Sequence, residues 1–92
     1  MTPEAGETLA LKALMWLLDQ DDLRGIFMGS AGLSADDVKA GAADPVFLAS
    51  VLDFLCMDDG WVTAFCDSQG VAYTDPMMAR AALPGGQEIN WT

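Results

Sequence analysis

The sequence predicts an all-α protein, a compact bundle of five to six short helices, and three observations predict it. Helix-capping residues fall where apolar periodicity begins and ends. No stretch alternates apolar and polar residues between turn signals as a half-buried strand would, and β-branched residues are few. Hydrophobic residues make up 52% of the chain and come in blocks, far more than an unfolded soluble chain carries, so the body folds despite a net charge of −10. Ninety-two residues allow one modest core and one domain.

The first helix is expected over residues 3–18. Thr2 is its N-cap, and Pro3 takes the first helical position, where a missing N–H costs nothing. Glu4 and Glu7 sit near the positive end of the helix dipole, while Gly6 weakens the first turn. Asp19 or Asp21 caps a second helix that runs to Ala31. Gly32 supplies the left-handed residue that ends it, and Leu33 folds back on Phe27 or Met28 as in a Schellman stop. Ser34, with Asp37 three residues later in place of the usual Glu, opens a short, mostly polar third helix through about Ala42. Asp44 and Pro45 open a fourth through Met57; Asp58 or Asp59 opens a fifth through Gln69 with Gly70 as its stop; Asp75 and Pro76 open a sixth through about Leu83. Pro84, Gly85 and Gly86 then end regular structure. The expected organisation is a single helical domain over residues 1–83 and a flexible C-terminal tail over residues 84–92.

Set against itself at an offset of 38 residues, the chain aligns Leu14 with Leu52, Leu17 with Leu55, Asp21 with Asp59, Phe27 with Phe65, Ser30 with Ser68, Gly32 with Gly70 and Asp37 with Asp75. These are core, capping and helix-stop positions, which a repeated helical hairpin must keep. Two copies are too few for an open solenoid, so the repeat suggests a closed bundle of two pseudo-twofold-related hairpin units. The helices around residues 9–18 and 46–57 are apolar on nearly every side. Either they form the centre of the bundle or part of their surface meets a second protomer.

Composition excludes several functions. Fourteen acidic side chains stand against four basic ones, Lys12, Arg24, Lys39 and Arg80, which build no positive stripe, so neither nucleic acid nor anionic lipid is an expected partner. The absence of histidine removes Ser-His and Cys-His nucleophiles together with the commonest zinc ligand. Carboxylates, two thiols and Tyr73 remain for any chemistry. The longest apolar runs are about half of the roughly 20 residues needed to cross a bilayer. The chain opens Met1, Thr2, Pro3, Glu4 without a basic leader, so a cytoplasmic location is expected, in which Cys56 and Cys66, outside any C-x-x-C unit, stay reduced and buried.

The aspartate groups at 19, 21 and 22, at 36 and 37, and at 58 and 59 suggest a cation, but the spacing fails. Counted from Asp19, positions 5 and 6 of a calcium loop would be Leu23 and Arg24 instead of an oxygen ligand and a glycine. Helix starts already explain these carboxylates, and no metal, cofactor or catalytic residue is assigned. Asp53, inside an apolar helix, is the one candidate acid whose desolvation would raise its pKa. The competing expectation pairs it with Lys12, which interrupts the matched helix, or leaves it on a solvated rim. Gly25 and Gly29 lack the strand, Lys and Ser/Thr of a phosphate loop and are expected to let another helix approach closely.

Candidate partner-binding residues are Ile89, Trp91, Trp61 and Tyr73, with Met57, Met77 and Met78 as adaptable surface beside them, and core filling is the competing and favoured expectation for most of Trp61, Tyr73 and these methionines. A tryptophan in the tail is costly to leave in water. The tail is therefore expected to fold back into a groove of its own bundle, with insertion into a partner or a second protomer, or disorder, as the alternatives.

The runs Leu9-Ala10-Leu11-Lys12-Ala13-Leu14 and Trp16-Leu17-Leu18, the stretch from Asp44 and Pro45 through Leu52, Asp53, Phe54 and Leu55, the segment Ala81-Ala82-Leu83-Pro84-Gly85-Gly86 and the closing Trp91-Thr92 together resemble a small family of helical proteins, mostly alphaproteobacterial, known as domain of unknown function family 3572. The resemblance covers most of the chain and implies a helical domain. It brings no activity, substrate or site residue with it, and a fold would not settle a function.

The expected function is that of a small non-catalytic cytoplasmic helical domain acting through protein contact, as a homodimer, adaptor or regulator. One alternative is a carboxylate-dependent enzyme or enzyme accessory subunit using Asp53 or Asp58 and Asp59. Another is an acidic decoy presenting Asp36, Asp37, Asp44, Asp58 and Asp59 to a nucleic-acid-binding protein.

Overall fold

The computed structural model describes residues 1–84, and among them the chain forms six helices and no strand: α1 (Pro3–Asp19), α2 (Asp21–Ala31), α3 (Ala35–Gly41), α4 (Pro45–Leu55), α5 (Asp59–Gln69) and α6 (Asp75–Ala82). The tail residues Ile89 and Trp91 lie outside the described residues. None of the described helices is long and apolar enough to cross a membrane.

Short polar side chains start four of the helices as their sequence implies. Thr2 Oγ1 accepts the Ala5 N–H at 3.1 Å, and Asp44 Oδ1 accepts that of Val46 at 2.9 Å. Asp58 Oδ1 accepts from Gly60 at 2.7 Å and from Trp61 at 3.2 Å. Ser34 and Asp37 close a capping box in both directions: Asp37 N–H donates to Ser34 Oγ at 3.2 Å, and Ser34 N–H to Asp37 Oδ2 at 2.9 Å. Each such cap satisfies an orphan amide and contributes about 1 kcal/mol.

The second helix starts otherwise than expected. Neither Asp19 nor Asp21 caps it; Gln20 is the N-cap residue, without a side-chain bond, and Asp21 is already helical. Arg24 secures this corner from the far side, donating to the Leu18 carbonyl at 3.0 Å and to Asp21 Oδ1 at 3.1 Å. The fourth helix ends at Leu55 rather than Met57: the Cys56 N–H still closes a helical bond to Leu52 O at 2.9 Å, but that of Met57 turns in tighter, to Phe54 O at 3.2 Å. At the sixth helix, Asp75 is the first helical residue and its Oδ2 accepts the Ala72 N–H at 3.2 Å.

The core is wholly apolar, with no buried polar or charged side chain among the described residues. Leu17, Leu48, Val51, Leu52, Leu55 and Phe65 are fully buried in it, each contributing roughly 1.5–3 kcal/mol relative to exposure. Helix α1 packs against both α4 and α6, and α6 also packs along α4. The two apolar helices therefore form the centre, although α1 is not surrounded: Met15 is 70% exposed on its open side.

Close approach falls on other glycines than those expected. A Cβ added at Gly25 or Gly29 would meet nothing within 4 Å, so neither admits a neighbouring helix. A Cβ at Gly6 would stand 3.1 Å from the Ala79 carbonyl oxygen and 3.3 Å from Ala82 Cβ, and one at Gly41 would run into the Phe47 ring. The glycine that weakens the first turn of α1 is the one that lets α6 lie against it.

The 38-residue offset is visible in the hydrogen bonds. Gly32 (φ 65°, ψ 34°) and Gly70 (φ 67°, ψ 33°) end α2 and α5 in the same left-handed conformation. Leu33 N–H donates to Met28 O at 2.9 Å, and its counterpart Val71 to Cys66 O at 3.1 Å. Asp37 receives the Ser34 amide as Asp75 receives that of Ala72. The repeating unit is three helices, α1–α3 and α4–α6, instead of the expected hairpin. Two edge-on aromatic contacts exchange between the units: Trp16 meets Phe65 at 5.8 Å, and its counterpart Phe54 meets Phe27 at 5.1 Å. A pair of reciprocal contacts of this kind is what a twofold relation produces and a simple translation does not.

Candidate functional site

The end of α4, the outer face of α5 and the turn into α6 enclose a hollow of about 230 Å³ lined by Cys56, Asp59, Val62, Thr63, Tyr73 and Met77. Local sequence places each wall. The Asp58 cap starts α5 so that Asp59, Val62 and Thr63, three and four residues apart, share one face. The Gly70 stop turns the chain back, which brings Tyr73 beside Asp67 of the preceding helix. The phenol O–H donates to Asp67 Oδ1 at 2.7 Å. Met57, next in the chain to Cys56, is 76% exposed, Met77 66% and Tyr73 56%. Large apolar side chains are thus held in water around a cleft.

Neither the Cys56 thiol and Tyr73 phenol that line the hollow nor the Cys66 thiol beyond it is activated as a nucleophile. Burial pushes the Cys56 thiol above its ordinary range, and the Asp53 carboxylate nearby adds to that. Burial also pushes up the Cys66 thiol, whose Sγ donates to the Ala72 carbonyl at 3.4 Å. The hydrogen bond to Asp67, reinforced by its charge, pushes up the Tyr73 phenol. All three groups are protonated at neutral pH, whereas a nucleophilic thiol needs its anion.

The carboxylates proposed for chemistry are not brought together. Asp53 pairs with Arg80 of α6 at 2.6 Å, not with Lys12, and its side chain is 58% exposed. It occupies the solvated rim, engaged with a cation, and not an apolar interior. The reason is tertiary: α6 lies along α4, whereas Lys12 lines a separate hollow on the open side of α1 with Met15, Trp16, Asp19 and Gln69. Asp58 is spent on the α5 cap, and Asp59 lines the hollow. Among the described residues no three metal-ligating side chains lie where they could hold one ion.

Of the four candidate partner-binding residues, Tyr73 lines this hollow. Trp61 lies elsewhere: its ring stacks on Phe54 at 5.0 Å, and it lines a shallow depression with Gln20, Asp21, Asp22, Leu23 and Ile26. Ile89 and Trp91 fall outside the described residues. Sequence reasoning missed Cys56, Val62 and Thr63 as walls and Asp67 as the partner of Tyr73. The signal for Asp67 was the Gly70 stop between them, which reverses the chain so that residues six apart meet.

The family described as "Protein of unknown function (DUF3572)" matches residues 3–86 of the chain. No curated protein and no solved structure matches it.

Proposed function

The chain belongs to the DUF3572 family, and from that premise we propose that it is a small non-catalytic helical module that works through protein contact, as an adaptor, a regulator or one half of a homodimer. The observation that carries this reading is the hollow bounded by Cys56, Tyr73 and Met77. It gathers exposed apolar side chains around a cleft while its thiol and phenol are held protonated. Unbranched methionines suit such a surface because they repack against different partners. The free thiols of Cys56 and Cys66 fit a reducing compartment, and the module acts in the cytoplasm.

The test places a photo-crosslinking residue at Met77 and, as a control, at Gly25, whose surroundings are open. Capture of one defined partner from position 77 alone, abolished by Tyr73→Ala, is the expected result. Equal background from both positions, or a turnover that depends on Asp53 or Cys56, refutes the reading.

A further inference from the structure

We infer that the hollow between α4, α5 and α6 receives a basic amphipathic helix of a partner protein, with one apolar side chain seated between Tyr73 and Met77 and Lys or Arg side chains against Asp59 and Asp67. The inference deepens the protein-contact reading and rests on it.

Charge is segregated along the chain. Between Lys39 and Arg80 there is no Lys or Arg, while Asp44, Asp53, Asp58, Asp59, Asp67 and Asp75 all fall there. The nearest base, Arg80, is already engaged, its Nε on Asp53 at 2.6 Å and an NH1 hydrogen on the Pro84 carbonyl at 3.0 Å. A ligand entering the hollow therefore meets uncompensated carboxylates. Asp59 stands in its wall, and Asp67 is held in place by the Tyr73 hydroxyl. Preset opposite charge of this kind selects partners and speeds encounter.

The same charge removes other occupants. A nucleic acid, an anionic membrane or a second copy of this chain, at −10 each, would be repelled. The chain's own residues 85–92 carry Glu88 and no base. The hollow, at about 230 Å³, lies below the roughly 300–1,000 Å³ of a small-molecule pocket and accommodates a single anchoring side chain. The described residues offer no strand edge for a peptide to extend, and an acidic, methionine-bordered hollow between helices suits the helix-in-groove mode with a basic partner. Three residues beyond Asp53, at the C-cap of α4, comes Cys56, and three before Arg80 on α6 comes Met77. The seam between the two helices thus runs from the ion pair into the hollow and offers a track for the partner's apolar stripe.

The probes are a Leu/Trp/Lys amphipathic helical peptide, a scrambled peptide of the same composition and a counterpart with Glu for every Lys, each titrated into the full chain while its amide NMR spectrum is followed. The amphipathic basic peptide is expected to bind about tenfold tighter than the scrambled one and to shift Cys56, Val62, Thr63, Tyr73 and Met77. Met77→Ser combined with Tyr73→Ala weakens it about tenfold. Asp59→Asn with Asp67→Asn weakens it several-fold and flattens its salt dependence.

Equal binding of the scrambled or acidic peptide, or shifts centred on Lys12 and Met15, overturns the inference. So do contacts between the Trp91 indole and Met77 in the free chain, or a dimer dissolved by Met77→Ser, which would give the hollow to the chain's own end or to a second copy. If cross-linking from position 77 still captures a partner while no basic helix binds, the basic helix is refuted and the contact reading survives; if both fail, both fall.

Discussion

Arg80 of α6 grips Asp53 of α4 at 2.6 Å, and the same guanidinium holds the Pro84 carbonyl at 3.0 Å. One side chain thus ties two helices and the exit of the described chain together. The pair is half in water, so its own worth is modest, about 0.5–1 kcal/mol. Arg80→Ala should cost more than Asp53→Ala, because it also loses the carbonyl bond and the packed stem of a side chain that is mostly covered. Urea unfolding of both single variants and the double variant measures this; equal losses, or no coupling between the two sites, would contradict it.

Glycine substitutions should divide by neighbourhood. Gly25→Ala adds a methyl group into open space on a helix and should stabilise by about 0.5–1 kcal/mol. Gly41→Ala puts the same group into the Phe47 ring and should destabilise by roughly 1–3 kcal/mol. Thermal unfolding should shift in opposite directions for the two variants, by several degrees each in a domain of this size.

Gly32 and Gly70 make the internal repeat measurable. Both end helices at φ near 65° with nothing within 4 Å of an added Cβ, so an alanine at either pays for handedness alone, about 1–2 kcal/mol. The two losses should agree within about 0.5 kcal/mol and add in the double variant. Unequal losses would mean that the two stops carry different loads despite their shared geometry.

The Tyr73–Asp67 hydrogen bond should appear in the alkaline limb. The phenol of the folded chain titrates above its unfolded value, so the bond contributes stability fully present below the unfolded pKa of about 10 and lost as pH rises through the folded pKa. Tyr73 is the single tyrosine, so tyrosinate absorbance reads it directly. Asp67→Asn should bring that titration down toward the ordinary range and reduce the alkaline loss of stability. An unchanged titration in the variant would show that the hydrogen bond is not formed in solution.

The caps and stops were legible because their causes are local. Thr2, Ser34, Asp44 and Asp58 reach amides two or three residues away, and Gly32 and Gly70 turn left-handed on their own account. Where the expectation failed at Asp19 and Asp21, a residue further along, Arg24, had taken over the corner by reaching back across it. The candidate site was less legible. Tyr73 was found because an aromatic after a helix stop is conspicuous; Val62 and Thr63 are ordinary helix residues until the fold sets them in one hollow with Tyr73 and Met77.

From its residues alone, this chain is committed to a bundle of five to six short helices, four of them started by Thr2, Ser34, Asp44 and Asp58, to an apolar core, to a matching of its halves at an offset of 38 and to a surface without histidine chemistry, because capping, periodicity and charge act over a few residues or over the whole composition. The tertiary structure alone decided that Asp53 meets Arg80, 27 residues away, and not Lys12, and that Gly6 rather than Gly25 receives a helix. It also decided that Cys56, Tyr73 and Met77 share one hollow. Such meetings depend on which helix faces lie together once the core has closed, and buried area, which is indifferent to sequence separation, governs that choice.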